Sequence, residues 1–400
     1  MWFHSIAFAQ IEVYQRDYDP SAGENAYDDD FNTDGNFDDY NENFQEDGGI
    51  SIDPPENPQE TPEIFPPEIS EDEGLEFYVY NQNGVMAFAI IAAHENYKIR
   101  PVLARNQIRG LATVSNMSEN IDDVATINAS YFAPDGSLYG ITKIDGTIVA
   151  TDYFNRSAIG ISKDGSIKFG RVRYQGKLSF RGKSIFVGGV NSVRGVNSAV
   201  IYNKYFGKTT GTNEFGIELV VKDGVIQEIF RDKGNNFIPQ DGYIVSAHGT
   251  AAELFENAKV GNKISFDEKI SSDDADFDSI PYVLGAGPRL VKDGKIFVTV
   301  AEEQFPPDIR FGRAPRSAFG VTKYGDYIFA VVDGRQAHSR GCTLQEWADI
   351  LLNQFGAVDA INLDGGGSSE LVVKDNLVNS PSDGRERSVG SALMILPKGY

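Results

Sequence analysis

The chain has 400 residues but only one cysteine, four histidines and no long apolar run. Because Cys342 stands alone, no disulfide can form within the chain, and no His/Cys cluster of the kind that holds zinc is present. No stretch of about 18 apolar residues occurs, so we predict no membrane-spanning helix. No cluster of Lys and Arg stands out, which argues against a nucleic-acid-binding face. Hydrophobic residues make up 41% of the chain, which is enough for a substantial core.

Basic residues are nearly absent from the N-terminal part. Residues 1–76 hold 22 Asp and Glu but only one basic residue, Arg16, so they account for almost all of the net charge of −22. Residues 11–75 are rich in Asp, Glu, Asn, Gly and Pro, and such a segment cannot bury enough apolar surface to offset the entropy lost on ordering. We therefore predict a disordered acidic linker over residues 11–75.

Residues 1–10 resemble the end of a signal peptide. Ala7 and Ala9 occupy the small-residue positions of a cleavage site, although a basic segment and a full-length apolar core are lacking. We interpret this segment as a truncated signal-peptide remnant, and an ordinary apolar tail is the alternative. We therefore expect the protein to be exported to the periplasm, the cell envelope or the medium.

From residue 76 the sequence changes to short runs of β-branched and aromatic residues, separated by Asp-Gly pairs that are strong hairpin signals. Helical patterns are few, and two short ones are Ser118–Val124 and Gly249–Lys259. We predict an α+β fold of mainly antiparallel, mixed sheets in one domain over residues 76–397. The Asp-Gly pairs begin at positions 135, 145, 164, 223 and 293.

The clearest helix is predicted over Thr343–Phe355. Thr343 and Glu346 form the S/T-x-x-E capping box, in which each side chain pairs with a free amide at the helix start. Apolar residues then recur at i, i+3, i+4, i+7, i+8 and i+11, and Gly356 follows as the residue that ends the helix.

This helix lies between two strand-like runs, Tyr327–Val332 and Val358–Leu363. Strand, helix and strand with short links predict a parallel pair joined by a right-handed crossover. In that arrangement Asp333 and Asp364 follow the carboxyl ends of the two strands, where ligand sites of α/β units form. A tight turn capped by Asp is the plainer alternative for each of them.

The run after the second strand, Asp364 to Ser369, is rich in glycine and hydroxyl groups. It lacks the Gly-Lys-Ser/Thr sequence of a P-loop, so we do not predict a nucleotide triphosphate site. Glycines allow a ligand to approach the backbone closely. The candidate ligand-binding residues here are Gly365, Gly366, Gly367, Ser368 and Ser369.

Several segments together resemble the phosphodiester glycosidase family. The resemblance covers most of residues 76–397, and the acidic linker lies outside it. Small departures are Cys342 and Ser388, at positions where the family usually has Met and often has Pro. The segments are INASYF (127–132), GAGPRL (285–290), RSAFG (316–320), VDGR (332–335), GCTL (341–344), NLDGGGSS (362–369) and RSV (387–389).

The resemblance implies hydrolysis of the glycosidic bond of a sugar-1-phosphodiester, with a glycan or glycoconjugate as partner and envelope or exopolysaccharide glycans as the setting. We assign Asp333 and Asp364 as the catalytic carboxylates. Arginine binds phosphate oxygens bidentately and stays charged, so three arginines form the predicted phosphate clamp. The clamp consists of Arg316, Arg335 and Arg387, with Asn128 and Ser368 as hydrogen-bond partners.

Several alternatives stay open at this level. No cofactor is required, but Asp333 and Asp364 could share a calcium or magnesium ion. His248 and His338 are either acid/base groups or ordinary loop histidines. A metal-dependent phosphodiesterase that cuts P–O, or an inactive glycan-binding envelope module, are the competing functions. The oligomeric state is not predicted.

Overall fold

The computed structural model describes residues 74–119, 121–151 and 154–399. The predicted signal-peptide remnant (1–10) and acidic linker (11–75) lie outside these residues, apart from the last two positions of the linker. Leu75, the last of them, begins the first strand.

The described residues form strands of two to fourteen residues and a few short helices. The strands are β1 Leu75–Gln82, β2 Val85–Ala92, β3 Tyr97–Leu103, β4 Ala125–Asn128, β5 Thr142–Ile144, β6 Thr147–Ala150, β7 Ser157–Ile161, β8 Ile167–Phe180, β9 Lys183–Phe186, β10 Gly189–Val190, β11 Ala199–Asn203, β12 Ile217–Lys222, β13 Val225–Arg231, β14 Tyr243–Ala247, β15 Ser265–Ser272, β16 Tyr282–Gly285, β17 Arg289–Lys292, β18 Lys295–Ile296, β19 Arg316–Thr322, β20 Tyr327–Val332, β21 Ala357–Asn362, β22 Leu371–Val373, β23 Asn376–Leu377 and β24 Ser391–Pro397. The helices are α1 Val114–Ser118, α2 Thr250–Glu253, α3 Pro307–Phe311 and α4 Leu344–Asn353.

Across the described residues these strands form four sheets. The first has the order β1-β2-β20-β19-β21-β17-β18, and the second has the order β10-β11-β14-β12-β13. The third has the order β15-β8-β7-β16-β5-β6 with β9 beside β8, and the fourth has the order β23-β22-β4-β24-β3. Antiparallel pairing prevails throughout, and β10–β11 is a parallel pair. The prediction of mainly antiparallel sheets is therefore confirmed.

The two faces of β20 pack against different parts of the molecule. Phe329 and Val331 belong to a buried cluster that includes Ile127 and Leu393 of the fourth sheet. Residues 328, 330 and 332 belong to another cluster, on the opposite face, that includes Trp347 of α4. Because side chains alternate across a strand, the unbroken apolar run of β20 fits a strand that is covered on both faces.

The predicted parallel pair is not a pair of neighbours. β20 and β21 do run in the same direction, with α4 between them in the chain, but β19 lies between them in the sheet and pairs with both. The physical reason is the tight turn after Thr322, which folds β19 back beside β20 as a hairpin. The position next to β20 is thus taken, and β21 lies one strand further along.

Predictions from local sequence patterns are confirmed for several turns and are wrong for two short helices. The Asp-Gly pairs at 145, 164, 223 and 293 each connect two antiparallel strands. The predicted helix Ser118–Val124 was wrong, because the helix there is α1, which ends at Ser118. The predicted helix Gly249–Lys259 is reduced to the four residues of α2. None of the helices in the described part of the chain is long and apolar enough to cross a bilayer.

The capping box of α4 gives a test of local stability. Thr343 Oγ1 accepts the N–H of Glu346 (3.2 Å), and Glu346 Oε2 accepts the N–H of Thr343 (2.9 Å). We expect Thr343→Ala to lower the free energy of unfolding by about 1 kcal/mol, because the amide at the helix start loses its acceptor. Chemical denaturation measures this. The control Gln345→Ala, at an exposed position of the same helix, should stay within about 0.5 kcal/mol of the wild type. Equal stabilities of the two variants would contradict the expectation.

Candidate active site

Three strands of the first sheet bring predicted site residues to one edge. β19 runs antiparallel to both β20 and β21, and Arg316 at its start lies opposite Val332 at the end of β20. The end of β21 lies opposite the middle of β19. Asp333 and Asp364 therefore leave the sheet at the same edge, on the side where β19 begins.

Asp364 is half-buried and is held through its main chain. Its N–H donates to the carbonyl of Ala129 at 2.8 Å, and its Oδ1 accepts the N–H of Gly365 at 3.0 Å. Burial raises the pKa of this carboxyl to about 6, and hydrogen bonds from Ser368 and Gly365, with the charge of Arg387, limit that rise. A carboxyl group that titrates near neutral pH is suited to proton transfer.

Asn128 is fully buried at the end of β4 and joins three segments. Its Nδ2 donates to the main-chain carbonyl of Asp364 at 2.7 Å. Its Oδ1 accepts from Ser317 Oγ at 2.7 Å and from the N–H of Glu370 at 3.1 Å. The sequence predicts a substrate contact for Asn128, but these internal contacts favour a positioning role.

The glycine run is packed closely by arginine side chains. A Cβ atom on Gly367 would lie 2.2 Å from Arg387 Nη2, so a side chain there would displace the end of the Arg387 side chain. Gly366 has φ +64° and passes beside Arg335, whose Nη1 would lie 3.5 Å from a Cβ at that position. Glycine is therefore favoured at 366 by its backbone conformation, and at 367 it leaves the Arg387 side chain in place.

Both serines of the run are buried. Ser368 Oγ lies 3.5 Å from Arg387 Nη1, so it links the carboxyl of Asp364 to that guanidinium. Ser369 Oγ has no hydrogen-bond partner among the described residues, and its main-chain carbonyl accepts from Asn379 Nδ2 at 3.0 Å. The run is thus a rigid turn, held by side chains from the segment that follows β23.

Asp333 lies in a different environment, because donors surround its carboxylate. Asn379 Nδ2 donates to Oδ1 at 3.1 Å, and the N–H of Ser380 lies 3.0 Å from Oδ1 and 3.2 Å from Oδ2. His338 Nε2 lies 3.0 Å from Oδ2. Burial raises the pKa of Asp333, and these hydrogen bonds oppose the rise. Asp333 is therefore fixed in place and has little free hydrogen-bonding capacity.

Arg316 is buried, and much of its guanidinium is engaged by main-chain carbonyls. Its Nε donates to Cys342 at 3.2 Å, and its Nη2 donates to Gly312 at 2.7 Å and to Ile309 at 3.3 Å. Burial lowers the pKa of this guanidinium, because the charge is removed from water. These contacts tie α3 and the start of α4 to β19.

The other two predicted clamp arginines differ from each other. Arg387 is paired with Asp383, through contacts of 2.6 Å and 2.9 Å to Oδ2, and reaches Ser368 on its other side. Arg335 is exposed, has φ +59°, and makes no ion pair or hydrogen bond through its side chain with the described residues. Arg335 is thus the cation of the three that is most available to an anion.

Sequence reasoning missed Tyr131. Its hydroxyl donates to the carbonyl of Gly287 at 3.0 Å and accepts from Asn362 Nδ2 at 2.9 Å. Burial raises the pKa of this phenol, and the nearby charge of Asp364 adds to the rise. The signal was present in the INASYF segment, from which only Asn128 was selected.

The two histidines considered in the sequence have different surroundings. His338 contacts Asp333, as described, and its side chain is 12% exposed. His248 follows β14 in the second sheet, where its Nδ1 accepts a long contact of 3.4 Å from the N–H of Asn197. Of the two, His338 belongs to the edge that carries the aspartates.

A divalent cation does not fit the donor set at this edge. The carboxylate oxygens of Asp333 already accept hydrogen bonds from N–H donors, which a cation would have to displace. Among the residues that the structure describes, no group of three or more His, Cys, Asp or Glu side chains is arranged to hold a metal. The arrangement instead offers a titratable carboxyl and an available cation, which suits an anionic substrate.

Comparisons with known proteins show similarity to one family. Residues 215–396 match the model of the family described as phosphodiester glycosidase. A segment of 109 residues is 40% identical to the SPbeta prophage-derived uncharacterized protein YomE of Bacillus subtilis, covering 27% of this chain and 16% of that protein. A segment of 103 residues is 36% identical to the N-acetylglucosamine-1-phosphodiester alpha-N-acetylglucosaminidase of Bos taurus, covering 24% and 19%. The matches span under a fifth of the length of these relatives. The predicted resemblance is confirmed: residues 215–396 match the phosphodiester glycosidase family.

Solved structures show a similar fold over most of the chain. A hypothetical protein from Synechocystis aligns with a TM-score of 0.69 and 24% identity, covering 81% of this chain and 62% of that one. A candidate exported protein from Burkholderia pseudomallei aligns with a TM-score of 0.67 and 25% identity, covering 78% and 74%. The likeness at this level of identity concerns the fold.

Glu370, directly after the run, gives a test of electrostatics at the site. It is fully buried, its Oε1 accepts the N–H of Arg387 at 2.5 Å, and its Oε2 has no partner among the described residues. Burial raises its pKa from 4.5 to about 8, and the charge of Glu386 adds to the rise.

We expect Glu370→Gln to flatten the pH dependence of stability. Between pH 4.5 and 8 the folded protein binds the Glu370 proton and the unfolded chain releases it, so the free energy of unfolding falls as pH rises. Glutamine mimics the neutral carboxyl and has no proton to lose. Denaturation at pH 5 to 8 should show nearly equal stabilities at pH 5 and a growing advantage of the variant toward pH 8. Parallel curves would rule out a neutral Glu370.

Proposed function

We propose that the protein hydrolyses the glycosidic bond of a sugar-1-phosphodiester carried by a glycan or glycoconjugate. The observation that carries this proposal is the combination of Asp364, whose pKa burial raises to about 6, with the exposed guanidinium of Arg335 beside the glycine run. A carboxylate is needed at the anomeric carbon, and a cation is needed at the phosphate. The family match over residues 215–396 supports the reaction class.

In the proposed reaction the bond between C1 and the phosphate oxygen breaks, and its electron pair leaves with the phosphate. A phosphate monoester has a second pKa of about 6, so it departs near neutral pH without a strong proton donor. Asp364 either accepts a proton from the attacking water or first bonds to C1 and is released by water. Both routes need the ionised carboxylate, so activity should rise with pH through about 6.

We assign Asp333 to positioning. Its carboxylate holds His338 and the segment of Asn379 and Ser380, and Asn379 in turn donates to the carbonyl of Ser369. The effect is to fix the turn that carries Asp364. A residue whose oxygens are occupied by internal donors is poorly placed to attack a substrate.

In the proposed clamp, Arg335 contacts the phosphate, and Arg387 and Arg316 support it from behind. Arg387 is neutralised by Asp383 and orients Ser368, while Arg316 is held by main-chain carbonyls. We propose that no metal is required, because the donors on Asp333 leave no free pair of carboxylates. Turnover should therefore be the same with and without a chelator.

We further propose that the protein is exported and acts on envelope or exopolysaccharide glycans. The cleavage-site pattern at Ala7 and Ala9 supports export, as does the likeness to a candidate exported protein of Burkholderia pseudomallei. Fractionation of the producing cells tests this, since a strictly cytoplasmic protein would contradict it.

The first prediction for this function concerns the two aspartates. On a panel of sugar-1-phosphodiesters, we expect Asp364→Asn to lower kcat by about 10² to 10⁴-fold with little change in melting temperature, because a carboxylate is lost from the reaction. Asp333→Asn should lower activity and melting temperature together, because an amide N–H₂ would face the donors of Asn379 and Ser380.

Isotope-labelled water separates the competing functions. Label in the released sugar supports C–O cleavage, whereas label in the phosphate would mean a phosphodiesterase that cuts P–O. Wild-type turnover in Asp364→Asn would refute the assignment of the carboxylate. Saturable glycan binding by a wild-type protein that hydrolyses none of the panel would indicate a binding module.

The second prediction concerns the clamp. Arg335→Gln removes the available charge, so kcat/KM for a phosphodiester substrate should fall about 100-fold. The matched control is Arg340→Gln in the same loop, whose guanidinium makes a 3.9 Å exposed ion pair with Glu346. If both variants lose activity equally, or neither does, Arg335 is not the phosphate contact.

A further inference from the structure

Two adjoining clefts lie beside the loop that follows Tyr131. One, of about 490 Å³, is bounded by residues 133–139 and 190–193, and the other, of about 300 Å³, is bounded by residues 192–194 and 210–213. Arg109, Ser192 and Val193 line both clefts. The two adjoining clefts are here named together the Tyr139 groove. Its volume falls in the range of small-molecule binding sites, and neither Asp333 nor Asp364 lines it.

Hydrogen bonds hold the walls of the groove in place. The N–H of Ala133 donates to the carbonyl of Ser137, and the N–H of Tyr139 donates to the carbonyl of Tyr131, each at 2.8 Å. On the opposite wall Tyr202 donates its hydroxyl to the carbonyl of Ser192 at 2.8 Å. A groove with fixed walls costs little ordering entropy when a ligand binds.

The cations of the groove are already compensated. Arg109 pairs with Asp135 at 3.1 Å and lies over the ring of Phe206, 4.8 Å from its centroid. Arg194 Nη1 donates to Ser246 Oγ at 2.9 Å, and that hydroxyl donates to the fully buried carboxylate of Glu218 at 2.8 Å. An anionic ligand would have to compete with these carboxylates, so the groove favours a neutral ligand.

The groove combines apolar surface with an unpartnered hydroxyl group in its wall. The ring of Tyr139 is 46% exposed and Val193 is 78% exposed. Within the described part of the chain, the buried hydroxyl of Ser192 has no hydrogen-bond partner. Sugar rings present apolar C–H faces together with hydroxyl groups, so they match an exposed aromatic ring beside polar side chains.

Hydrogen bonds through Tyr131 connect a wall of the groove to the candidate active site. Tyr139 is hydrogen-bonded to the main chain of Tyr131, and the hydroxyl of Tyr131 is bonded to Asn362, which precedes Asp364 by two residues. We infer that the Tyr139 groove binds a neutral oligosaccharide that extends away from the active site. The claim that this oligosaccharide is part of the substrate rests on the proposed function. The claim that the groove binds an oligosaccharide does not.

Calorimetric titration of the full chain tests this inference, with maltotriose and chitotriose as neutral probes. We expect at least one of them to bind saturably and at least about tenfold more tightly than its monosaccharide, because several rings fill the groove. Tyr139→Ala should weaken that binding about tenfold through loss of the stacking surface. Val193→Glu, on the opposite wall, should weaken it as well by placing a charge beside the apolar faces.

The matched control is Tyr324→Ala, an exposed tyrosine in the β19–β20 turn that does not line the groove, and it should bind as the wild type does. Absence of binding for both trisaccharides, unchanged binding in both groove variants, or tighter binding of trigalacturonate would overturn the inference. Binding retained in Asp364→Asn supports a groove separate from the chemistry. Trisaccharide binding without any phosphodiester hydrolysis would refute the proposed function but support the groove inference. Hydrolysis without trisaccharide binding would support the proposed function and refute the groove inference.

Discussion

The side chain of Asn128 joins two sheets at the point where the candidate site forms. It lies at the end of β4 in the fourth sheet. Its side-chain amide is hydrogen-bonded to Ser317 of β19 in the first sheet, to Asp364 just after β21, and to Glu370 just before β22. The main chain adds a second link, because Asp364 donates to the carbonyl of Ala129. A fully buried amide with these partners tolerates little displacement, since any unmet bond there costs about 1–3 kcal/mol. The position of Asp364 thus depends on contacts between sheets.

Asp333 and Asp364 each follow a buried strand, but different hydrogen-bond donors surround their carboxyl groups. Asp333 is surrounded by N–H donors, which stabilise its charge and consume its acceptor capacity. Asp364 has the N–H of Gly365 and the hydroxyl of Ser368, and burial raises its pKa to about 6. Unequal solvation of paired carboxyl groups is the general means by which one becomes reactive and the other becomes structural. The sequence predicts that one of the two is the base or nucleophile, and this difference favours Asp364 for that role.

Features set by neighbours in the chain could be predicted from the sequence, whereas features set by distant segments could not. The capping box of Thr343 and Glu346 and the Asp-Gly hairpins depend on a few consecutive residues, and they lie where the local pattern places them. The insertion of β19 between β20 and β21 depends on the β19–β20 hairpin. The strand–helix–strand pattern begins at β20 and does not include that hairpin. The contact of Asn128 with Asp364 spans 236 positions and leaves no local trace, so the family-like segment around Asn128 predicted a ligand contact instead.

The arginines show the same limit for the candidate site. Arg316, Arg335 and Arg387 stand in similar motifs, and sequence alone gives each the same role at the phosphate. They differ in the hydrogen-bond acceptors around each guanidinium. Three main-chain carbonyls accept from Arg316, and the carboxylate of Asp383 neutralises Arg387. Arg335 extends from a left-handed backbone position past Gly366, with no carboxylate beside it in the described structure. Because a guanidinium already satisfied by the protein gains little from a ligand, the anion should bind where the acceptors are missing. In the proposed function, one cation therefore contacts the phosphate, and the neutral groove is left for uncharged sugar rings.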